Sequence, residues 1–210
     1  MNQTEKAVDI FNKLANYYQE KFMDVSLYQD SLDIFCNNLT NENASILDLA
    51  CGPGNISKYL LDKRFDYKIL GTDLAPKMIE LAKINNPNAH FKIMDIRAIN
   101  NLETHFDGII CGFGLPYLSK IEAIKLICDA SQKLNSKGVL YISTMEDDNN
   151  NSGYKTGSTG DKMYQNFHQA DYLLEALKNN YFEVINLERK NYLHNNQVTT
   201  DLIIIAKLLK

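Results

Sequence analysis

Two closely spaced glycines, Gly52 and Gly54, are the first residues whose type and spacing suggest ligand chemistry. They follow a short apolar segment, residues 45–50, and precede a helical pattern that begins at Ile56. The sequence therefore predicts a strand, a glycine turn and a helix start. Because glycine has no Cβ, a ligand can approach this backbone closely, and the helix N-terminus supplies free N–H groups. A plain tight turn is the alternative for this segment taken alone.

Features of this turn argue against a dinucleotide ligand. Ser57 stands where the GxGxxG pattern has its third glycine, which weakens a pyrophosphate-binding interpretation. Asp48, inside the strand, suits a ligand with a cationic amino-acid tail. A Tyr-x-x-x-Lys pair, Tyr17 and Lys21, precedes the glycine turn, whereas short-chain dehydrogenases carry that pair well after it. A nicotinamide-dependent oxidoreductase stays as the alternative enzyme on a related fold.

Three further signals lie at the ends of predicted strands. Asp73 lies 19 residues after Gly54 (73 − 54), where a carboxylate can accept both hydroxyls of a ribose. Asp95 ends the third strand, where an acceptor for an adenine amino group is needed. The fourth strand ends in the small residues Cys111 and Gly112, beside which a flat group can pass. Each aspartate could instead cap the segment that follows it, but their shared position at successive strand ends favours one ligand site.

The elements that must position these residues alternate between apolar strands and amphipathic helices. This alternation indicates parallel strands joined by right-handed helical crossovers. We predict an α/β fold, namely a Rossmann-like doubly wound sheet, mostly parallel with an antiparallel C-terminal edge strand, plus an N-terminal helical lid. The predicted strands are residues 45–50, 67–72, 91–94, 106–111, 139–144, 182–187 and 199–207, and the predicted helices include 27–39, 56–61, 76–84, 121–134 and 169–178.

Residues 45–144 resemble a class I S-adenosylmethionine-dependent methyltransferase of the small-molecule type. The resemblance rests on the glycine turn, in which Ala50 stands where many members carry glycine, and on the acidic strand ends. It implies S-adenosylmethionine as cofactor, with S-adenosylhomocysteine as product. The methionine part would lie at Asp48 and the glycine turn, the ribose at Asp73, and the adenine at Asp95 and Ile96. The implied cofactor-binding residues are Tyr18, Asp48, Ala50, Cys51, Gly52, Gly54, Asn55, Asp73, Leu74, Met78, Asp95, Ile96, Cys111, Gly112 and Phe113.

The N-terminal stretch FNKLANYY, residues 11–18, is similar to the opening FDxxAxxY of small-molecule members, with Asn12 in place of the acidic residue. In those proteins the final tyrosine, here Tyr18, belongs to a helical lid over the site. Tyr18 and Phe22 also lie at helical spacing, so a simple core role is the alternative.

Catalysis of methyl transfer needs few chemical groups from the protein. The reaction is an in-line displacement, so the protein mainly aligns donor and acceptor and excludes water. A base would help if the acceptor is a hydroxyl or an ammonium. The candidates are Tyr117, Glu146 and His168, with Tyr154 as a further phenol. Tyr117 could instead form an apolar wall with Phe113, and His168 could be a capping or surface residue.

We expect a single methyltransferase domain over residues 1–210. Its predicted parts are an N-terminal helical lid (1–40), a cofactor-binding core (45–145), an acceptor-side loop (146–168) and a closing helix and strands (169–210). Residues 146–160 are polar and rich in Asn, Gly, Ser and Thr, which predicts a mobile loop. Because loops at this sheet edge carry specificity, we expect this loop and the lid to cover a small-molecule acceptor.

Charge and composition restrict the partners. The chain has 22 basic and 26 acidic residues, a net charge of −4, and no run of Lys or Arg, so no nucleic-acid partner is expected. Residues 114–117 compare with the Asp/Asn-Pro-Pro-Tyr signature of base-flipping amino-methylating enzymes, but the first two residues of that signature are absent. A nucleic-acid methyltransferase therefore stays as an alternative, as does a protein that binds S-adenosylmethionine without transferring methyl groups.

The cysteines and the apolar runs indicate the compartment. Four cysteines occur without a CxxC pair or a histidine pattern, so no metal site is predicted and reduced thiols in a cytoplasmic protein are expected. The N-terminus has no apolar signal-peptide region, and no apolar run is long enough for a bilayer, so no membrane association is expected. Nothing in the sequence indicates an oligomeric state.

Overall fold

The computed structural model describes residues 2–194 and 197–210. Met1 and residues 195 and 196, which belong to the predicted lid and closing segment, lie outside the described residues. The helices are α1 (Gln3–Lys13), α2 (Ala15–Phe22), α3 (Gln29–Asn38), α4 (Asn55–Lys63), α5 (Pro76–Asn85), α6 (Lys120–Lys133) and α7 (Ala170–Asn179). The strands are β1 (Ser45–Leu49), β2 (Lys68–Asp73), β3 (His90–Ile93), β4 (Phe106–Gly112), β5 (Leu134–Glu146), β6 (Gly153–Thr156), β7 (Lys162–Gln165), β8 (Phe182–His194) and β9 (Gln197–Leu208).

Seven strands form one sheet in the order β3-β2-β1-β4-β5-β9-β8. Parallel pairing runs from β3 through β2, β1 and β4 to β5. The C-terminal strand β9 runs antiparallel between β5 and the edge strand β8. The predicted α/β fold, mostly parallel with antiparallel C-terminal pairing at one edge, is confirmed. Strand order reverses between β1 and β4, which makes their ends the topological switch point of the sheet.

Helices cover both faces of the sheet, as a doubly wound fold requires. On one face α6 and α7 pack Leu126 and Leu173 against Ile109 of β4. On the other face α3 packs Phe35 into the cluster that contains Ile110, the next residue of β4. Successive residues of a strand point to opposite faces, so both isoleucines are buried and β4 reads as a continuous apolar run.

The segment predicted as a mobile loop, residues 146–160, contains defined secondary structure, which corrects that prediction. Strands β6 and β7 pair antiparallel with Tyr154 opposite Tyr164, and the two rings meet edge to face with centroids 5.5 Å apart. Gly160 in the connecting turn has a φ of 85°. The sequence predicts a loop because apolar and polar residues do not alternate along these two strands. The cross-strand tyrosine pair stabilises the hairpin instead.

The N-terminal helices α1 and α2, here called the lid, lie over the edge of the sheet where β1 and β2 end. Asn2 caps α1 with a reciprocal pair of hydrogen bonds to Glu5. An ion pair of 2.8 Å between Lys13 and Asp161 ties the lid to the turn of the β6–β7 hairpin. Across the described residues, no helix has the length and apolar character that a membrane span needs.

Candidate functional site

Two cavities open at the edge of the sheet where the parallel strands end. The larger cavity has a volume of about 620 Å³ and extends from the end of β1 past the ends of β2 and β3. The smaller has a volume of about 220 Å³ and extends from β1 towards β5 and β9. They meet at the switch point, the position at which open α/β sheets bind ligands. The residues that line both are Tyr18, Ala50, Gly52, Gly112, Phe113 and Tyr117.

The glycine turn is held in place by the end of β2. The backbone N–H of Gly52 donates to Oδ2 of Asp73 at 3.0 Å, and the N–H of Ala75 donates to Oδ1 at 2.8 Å. Burial raises the pKa of Asp73, against the opposing effect of these N–H groups. Each oxygen of an ionised carboxylate has two lone pairs, so Asp73 retains acceptor capacity towards the larger cavity, which it lines.

Two residues other than glycine have left-handed backbone where the cavities meet. The φ angle is 51° at Ala50, after β1, and 56° at Phe113, after β4. This conformation costs about 1–2 kcal/mol for a residue with a Cβ, and such strain is concentrated at functional sites. The N–H of Phe113 donates to Oγ of Ser143 on β5 at 3.0 Å. Ala50 thus adopts a left-handed conformation that glycine adopts without strain. This conformation explains why many members of the family that the sequence resembles carry glycine at this position.

Arg97 organises the far end of the larger cavity. Its guanidinium forms ion pairs of 2.7 Å with Asp95 and with Glu122. It also donates to the hydroxyl of Thr4 on α1 at 3.0 Å and to the carbonyl of Tyr117 at 3.4 Å. Asp95 and Ile96 line the cavity here, as the sequence predicts for an adenine site. Arg97 therefore connects that end of the cavity to the lid, a role that the sequence analysis missed.

Asp48 lies beneath the glycine turn rather than on a cavity wall. It is 1% exposed, and Oδ2 accepts a hydrogen bond of 2.6 Å from Ser57. Its other oxygen, Oδ1, has no hydrogen-bond partner among the described residues. Burial raises the pKa of Asp48 to about 7, although the Ser57 hydroxyl opposes this shift and the charge of Asp73 adds to it.

Aromatic side chains of the lid cover the meeting point of the cavities. The ring of Phe11 lies 5.8 Å from that of Tyr18 and 5.3 Å from that of Tyr117, in both cases edge to face. Burial raises the pKa of Tyr18 to about 12, with a further contribution from the charge of Asp73. The side chain of Asn55 donates to the carbonyl of Phe22 at 2.8 Å, which joins the lid to the start of α4.

The structure brings together most of the residues predicted to bind a cofactor. Those lining the larger cavity, the smaller cavity or both are Tyr18, Ala50, Cys51, Gly52, Asn55, Asp73, Leu74, Met78, Asp95, Ile96, Gly112 and Phe113. Asp48, Gly54 and Cys111 do not line either cavity. At Gly54 the φ is 79°, and a Cβ would lie 2.4 Å from Nδ2 of Asn86, so close packing against α5 explains this glycine.

The predicted catalytic residues divide between the cavities and the protein interior. Tyr117 lines both cavities, and burial raises its pKa. Tyr154 lines the larger one. Glu146 accepts two hydrogen bonds from Arg189, at 2.5 and 2.9 Å, and one of 3.2 Å from the N–H of Ala170. Glu146 does not line either of these two cavities, and its catalytic role stays a prediction.

His168 likewise does not line either of these cavities, and its catalytic role also stays a prediction. The ring is fully buried. Nε2 lies 2.8 Å from the carbonyl oxygen of Leu115, and Nδ1 is hydrogen-bonded to the hydroxyl of Tyr172. Burial lowers the pKa of His168. Both ring nitrogens are therefore engaged in holding the start of α7 to the 3₁₀ turn after β4 (Leu115–Tyr117).

Sequence reasoning missed a polar group on the inner wall of the smaller cavity. Asp201 of β9 is fully buried and accepts hydrogen bonds from Tyr28 at 2.7 Å and from Tyr192 at 3.4 Å. Ser143 of β5 lies on the same wall. An acidic residue directly before the apolar run 202–206 was the available signal.

Comparison with known proteins shows which family this site resembles. Residues 46–138 match a family model described as a methyltransferase domain. Over these residues the chain is similar to methyltransferase domains. The predicted resemblance, and S-adenosylmethionine as the cofactor of the family, are thereby confirmed.

Individual relatives agree with this assignment. A malonyl-[acyl-carrier protein] O-methyltransferase from Acetivibrio thermocellus is 36% identical over 103 residues, which are 47% of this chain and 35% of that protein. A carboxy-S-adenosyl-L-methionine synthase from Campylobacter jejuni is 30% identical over 128 residues, 57% of this chain and 53% of that protein. The matched part of the chain thus spans about half, or less, of the length of these curated relatives.

A solved structure shares the fold beyond the matched segment. The magnesium protoporphyrin IX methyltransferase from Synechocystis PCC 6803, determined with bound S-adenosylmethionine, superposes with a TM-score of 0.70 at 16% identity. The match covers 99% of this chain and 98% of that one. The same architecture therefore extends over the lid and the closing strands.

The site also fits this cofactor on its own geometry. A Cβ at Gly52 would lie 3.7 Å from the ring of Tyr18, so the absent side chain leaves room on the wall that both cavities share. The unpartnered Oδ1 of Asp48 lies beneath this turn, where a cationic amino-acid tail would offset its buried charge. No group of His, Cys, Asp and Glu side chains within the described residues is arranged to hold a metal ion.

Proposed function

We propose that this chain transfers the methyl group of S-adenosylmethionine to a small-molecule acceptor. The observation that carries the proposal is the order of groups along the two joined cavities. Asp95 and Asp73 lie along the larger cavity, the glycine turn lies at the junction, and a separate space of about 220 Å³ continues beyond it. A donor that fills the first cavity would present its reactive group to the second.

In this proposal, the chain's own residues bind and orient the donor. Asp95 and Ile96 hold the adenine, Asp73 accepts the ribose hydroxyls, and the turn at Gly52 with Asn55 receives the methionine part. When bound, the cofactor supplies an electrophilic methyl group on a sulfonium. Phe113 and the glycine turn confine that group to the junction of the two cavities.

The lid supplies the exclusion of water that such a displacement needs. Phe11 and Tyr18 cover the junction from the lid side, and the ion pair between Lys13 and Asp161 joins the lid to the hairpin. Alignment and desolvation are the main catalytic contributions expected of a protein in this reaction. Tyr117 is the one predicted catalytic residue that we retain, as a wall of both cavities.

A small acceptor is supported by the size and cover of the second cavity. A volume of about 220 Å³ beneath the lid admits a compact organic molecule rather than a polymer. The net charge of −4 gives no general attraction for nucleic acid. In this proposal the whole chain acts as one domain. The lid and the β6–β7 hairpin lie on the side of the sheet where the ligands bind.

Calorimetric titration with S-adenosylmethionine and with S-adenosylhomocysteine tests the proposal. We expect micromolar binding that Asp73→Ala weakens by about tenfold or more, since paired ribose hydroxyls lose a charged acceptor worth roughly 1.5–3 kcal/mol. Asp62→Ala, at an exposed ion pair on α4, is the matched control and should bind as the wild type does. Absence of binding by the folded wild-type chain would overturn the proposal. Mass spectrometry then identifies the product. S-adenosylhomocysteine supports methyl transfer, whereas a modified S-adenosylmethionine would indicate a reaction on the cofactor itself.

A further inference from the structure

The inner end of the smaller cavity is built from one carboxylate and two phenols. Asp201 is fully buried and accepts from the hydroxyls of Tyr28 and Tyr192. A phenol that donates its single hydrogen to a carboxylate keeps only its lone pairs for a further partner. All three groups line the smaller cavity, so this end offers hydrogen-bond acceptors and one negative charge.

Aromatic and aliphatic side chains make up most of the remaining lining of the smaller cavity. The rings of Tyr28 and Phe113 meet at 5.3 Å and form one corner. Among the described residues, those lining the smaller cavity include no Lys, Arg or His, and its second charged group is the exposed carboxylate of Asp24. Aromatic faces beside a carboxylate attract a cation, and they disfavour an anion.

This end is also distinct from the position of the donor. In the sheet order, β9 lies three strands from β1, so Asp201 and the glycine turn belong to different sides of the smaller cavity. Tyr28, which donates to Asp201, packs its ring against Phe113 at the junction, so a group held here lies beside the junction. Gly52 and Asn55 follow β1, whereas Asp201 lies on β9, and all three line the smaller cavity. The methionine part of a donor at the glycine turn therefore leaves the inner end free for a second molecule.

We propose that the inner end of the smaller cavity is the acceptor subsite and that it selects a small amine, held by Asp201 and Tyr28 against the aromatic wall. This proposal rests on the methyl transfer proposed above. The amine binds as an ammonium and releases one proton to solvent before transfer. The lone pair of the resulting neutral nitrogen forms the new C–N bond, and the electron pair of the broken C–S bond stays on sulfur. The positive charge passes to the nitrogen, so the product is an N-methylammonium opposite Asp201.

The carboxylate of Asp201 then lies beside the nitrogen on which positive charge develops. The nitrogen of a neutral amine gains positive charge during the displacement, so a fixed negative charge stabilises the transition state more than the ground state. A carboxylate acceptor would meet the opposite situation, because its charge would face Asp201 without a basic partner on the wall. Hydroxyl acceptors of the same shape would lose the charge interaction and keep the aromatic contacts.

Three probes of one shape test this selection on protein saturated with S-adenosylhomocysteine: 2-phenylethylamine, 2-phenylethanol and phenylacetate. We expect calorimetry to give about tenfold tighter binding of the amine than of the alcohol, and weaker binding of phenylacetate than of either. With S-adenosylmethionine, mass spectrometry should detect the N-methylated amine. Binding of S-adenosylhomocysteine itself is measured first, and its failure would count against the proposed function rather than against this subsite.

Variants separate the role of Asp201 from that of the fold. Asp201→Asn should weaken amine binding about tenfold or more and leave the binding of the alcohol and of S-adenosylhomocysteine unchanged. Asp62→Asn is the control for loss of one carboxylate elsewhere. If Asp201→Asn does not fold, Tyr28→Phe is measured in its place and should weaken amine binding about threefold or more. The proposal is overturned if phenylacetate binds as tightly as the amine, if no probe binds, or if the amine binds equally well to the variant.

Discussion

The backbone N–H of Gly52 and the carboxylate of Asp73 are joined by a hydrogen bond of 3.0 Å, which ties the turn after β1 to the end of β2. The same carboxylate faces the larger cavity. One side chain therefore both shapes the glycine turn and presents acceptors to a ligand. We therefore expect this contact to couple binding of the donor to the conformation of the turn.

Replacing Gly52 with alanine should reduce donor binding more than stability. The φ of 53° costs a residue with a Cβ about 1–2 kcal/mol, and the added methyl group would also occupy the wall shared by the two cavities. We expect the affinity for S-adenosylhomocysteine to fall by at least about tenfold, measured by calorimetry beside urea unfolding. Gly153→Ala is the control, because a Cβ there meets nothing within 4 Å. Equal losses of affinity in both variants would contradict this role of Gly52.

Asp48 should make the free protein less stable as pH rises. Burial raises its folded-state pKa to about 7, above the ordinary aspartate value of 3.8, so the folded state holds a proton that the unfolded state releases. Stability is then highest below the unfolded pKa and declines as pH rises through the folded one, by about 3 kcal/mol between pH 5 and pH 8. Asp48→Asn removes this decline.

Urea unfolding of both proteins across that pH range checks the contribution of Asp48. The difference in unfolding free energy between variant and wild type should grow as pH rises. Other titrating groups are shared by the two proteins and cancel in this difference. A difference that is constant with pH would show that Asp48 is ionised at all these pH values.

The effect of replacing His168 can be predicted from its hydrogen bonds to Leu115 and Tyr172. His168→Asn should lower the unfolding free energy by about 1–3 kcal/mol, because a buried carbonyl and a buried hydroxyl lose their partner. Affinity for S-adenosylmethionine should be unchanged, since the ring does not line either cavity. Thermal unfolding and calorimetry give the two values. Unaltered stability together with reduced turnover would restore the catalytic role that the sequence suggests.

Arg97 should affect binding through Asp95 and the lid. Arg97→Ala removes the ion pair to Asp95 and the hydrogen bond to Thr4. Because the side chains of Arg97 and Asp95 are about one third exposed, we expect a modest loss, about threefold to tenfold in affinity for S-adenosylhomocysteine. Cleavage of the N-terminal helices by protease should be faster. Arg64→Ala breaks a similar pair with Asp66 away from the cavities and should leave affinity unchanged.

The positions of Asp73 and Asp95 can be predicted from the sequence, because strand period and parallel direction fix them. Both aspartates follow apolar strands, and the carboxyl ends of parallel strands meet at one edge. The same logic placed Glu146 at that edge, but the sequence does not show that β8 would bring Arg189 into contact with it. The engagement of both ring nitrogens of His168 likewise depends on Leu115, which is distant in sequence.

The position of Asp201 cannot be predicted in this way, because β9 runs antiparallel to β5. It lies near the beginning of β9, and the antiparallel pairing sets it opposite Met145, near the end of β5. The start of this strand therefore reaches the edge at which the parallel strands finish. A sequence pattern gives the existence of such a strand but not the neighbour beside which it inserts, so this wall of the site required the structure.

The most direct test of the account is to map the amide signals of the chain by nuclear magnetic resonance during titration with S-adenosylhomocysteine. We predict the largest shifts at Gly52, Asp73, Asp95 and Gly112, at the ends of four strands, together with lid residues near Tyr18. The opposite ends of the same strands should change little. Shifts confined to that opposite edge, or no shifts at saturating ligand, would contradict the assignment of the two cavities to donor and acceptor.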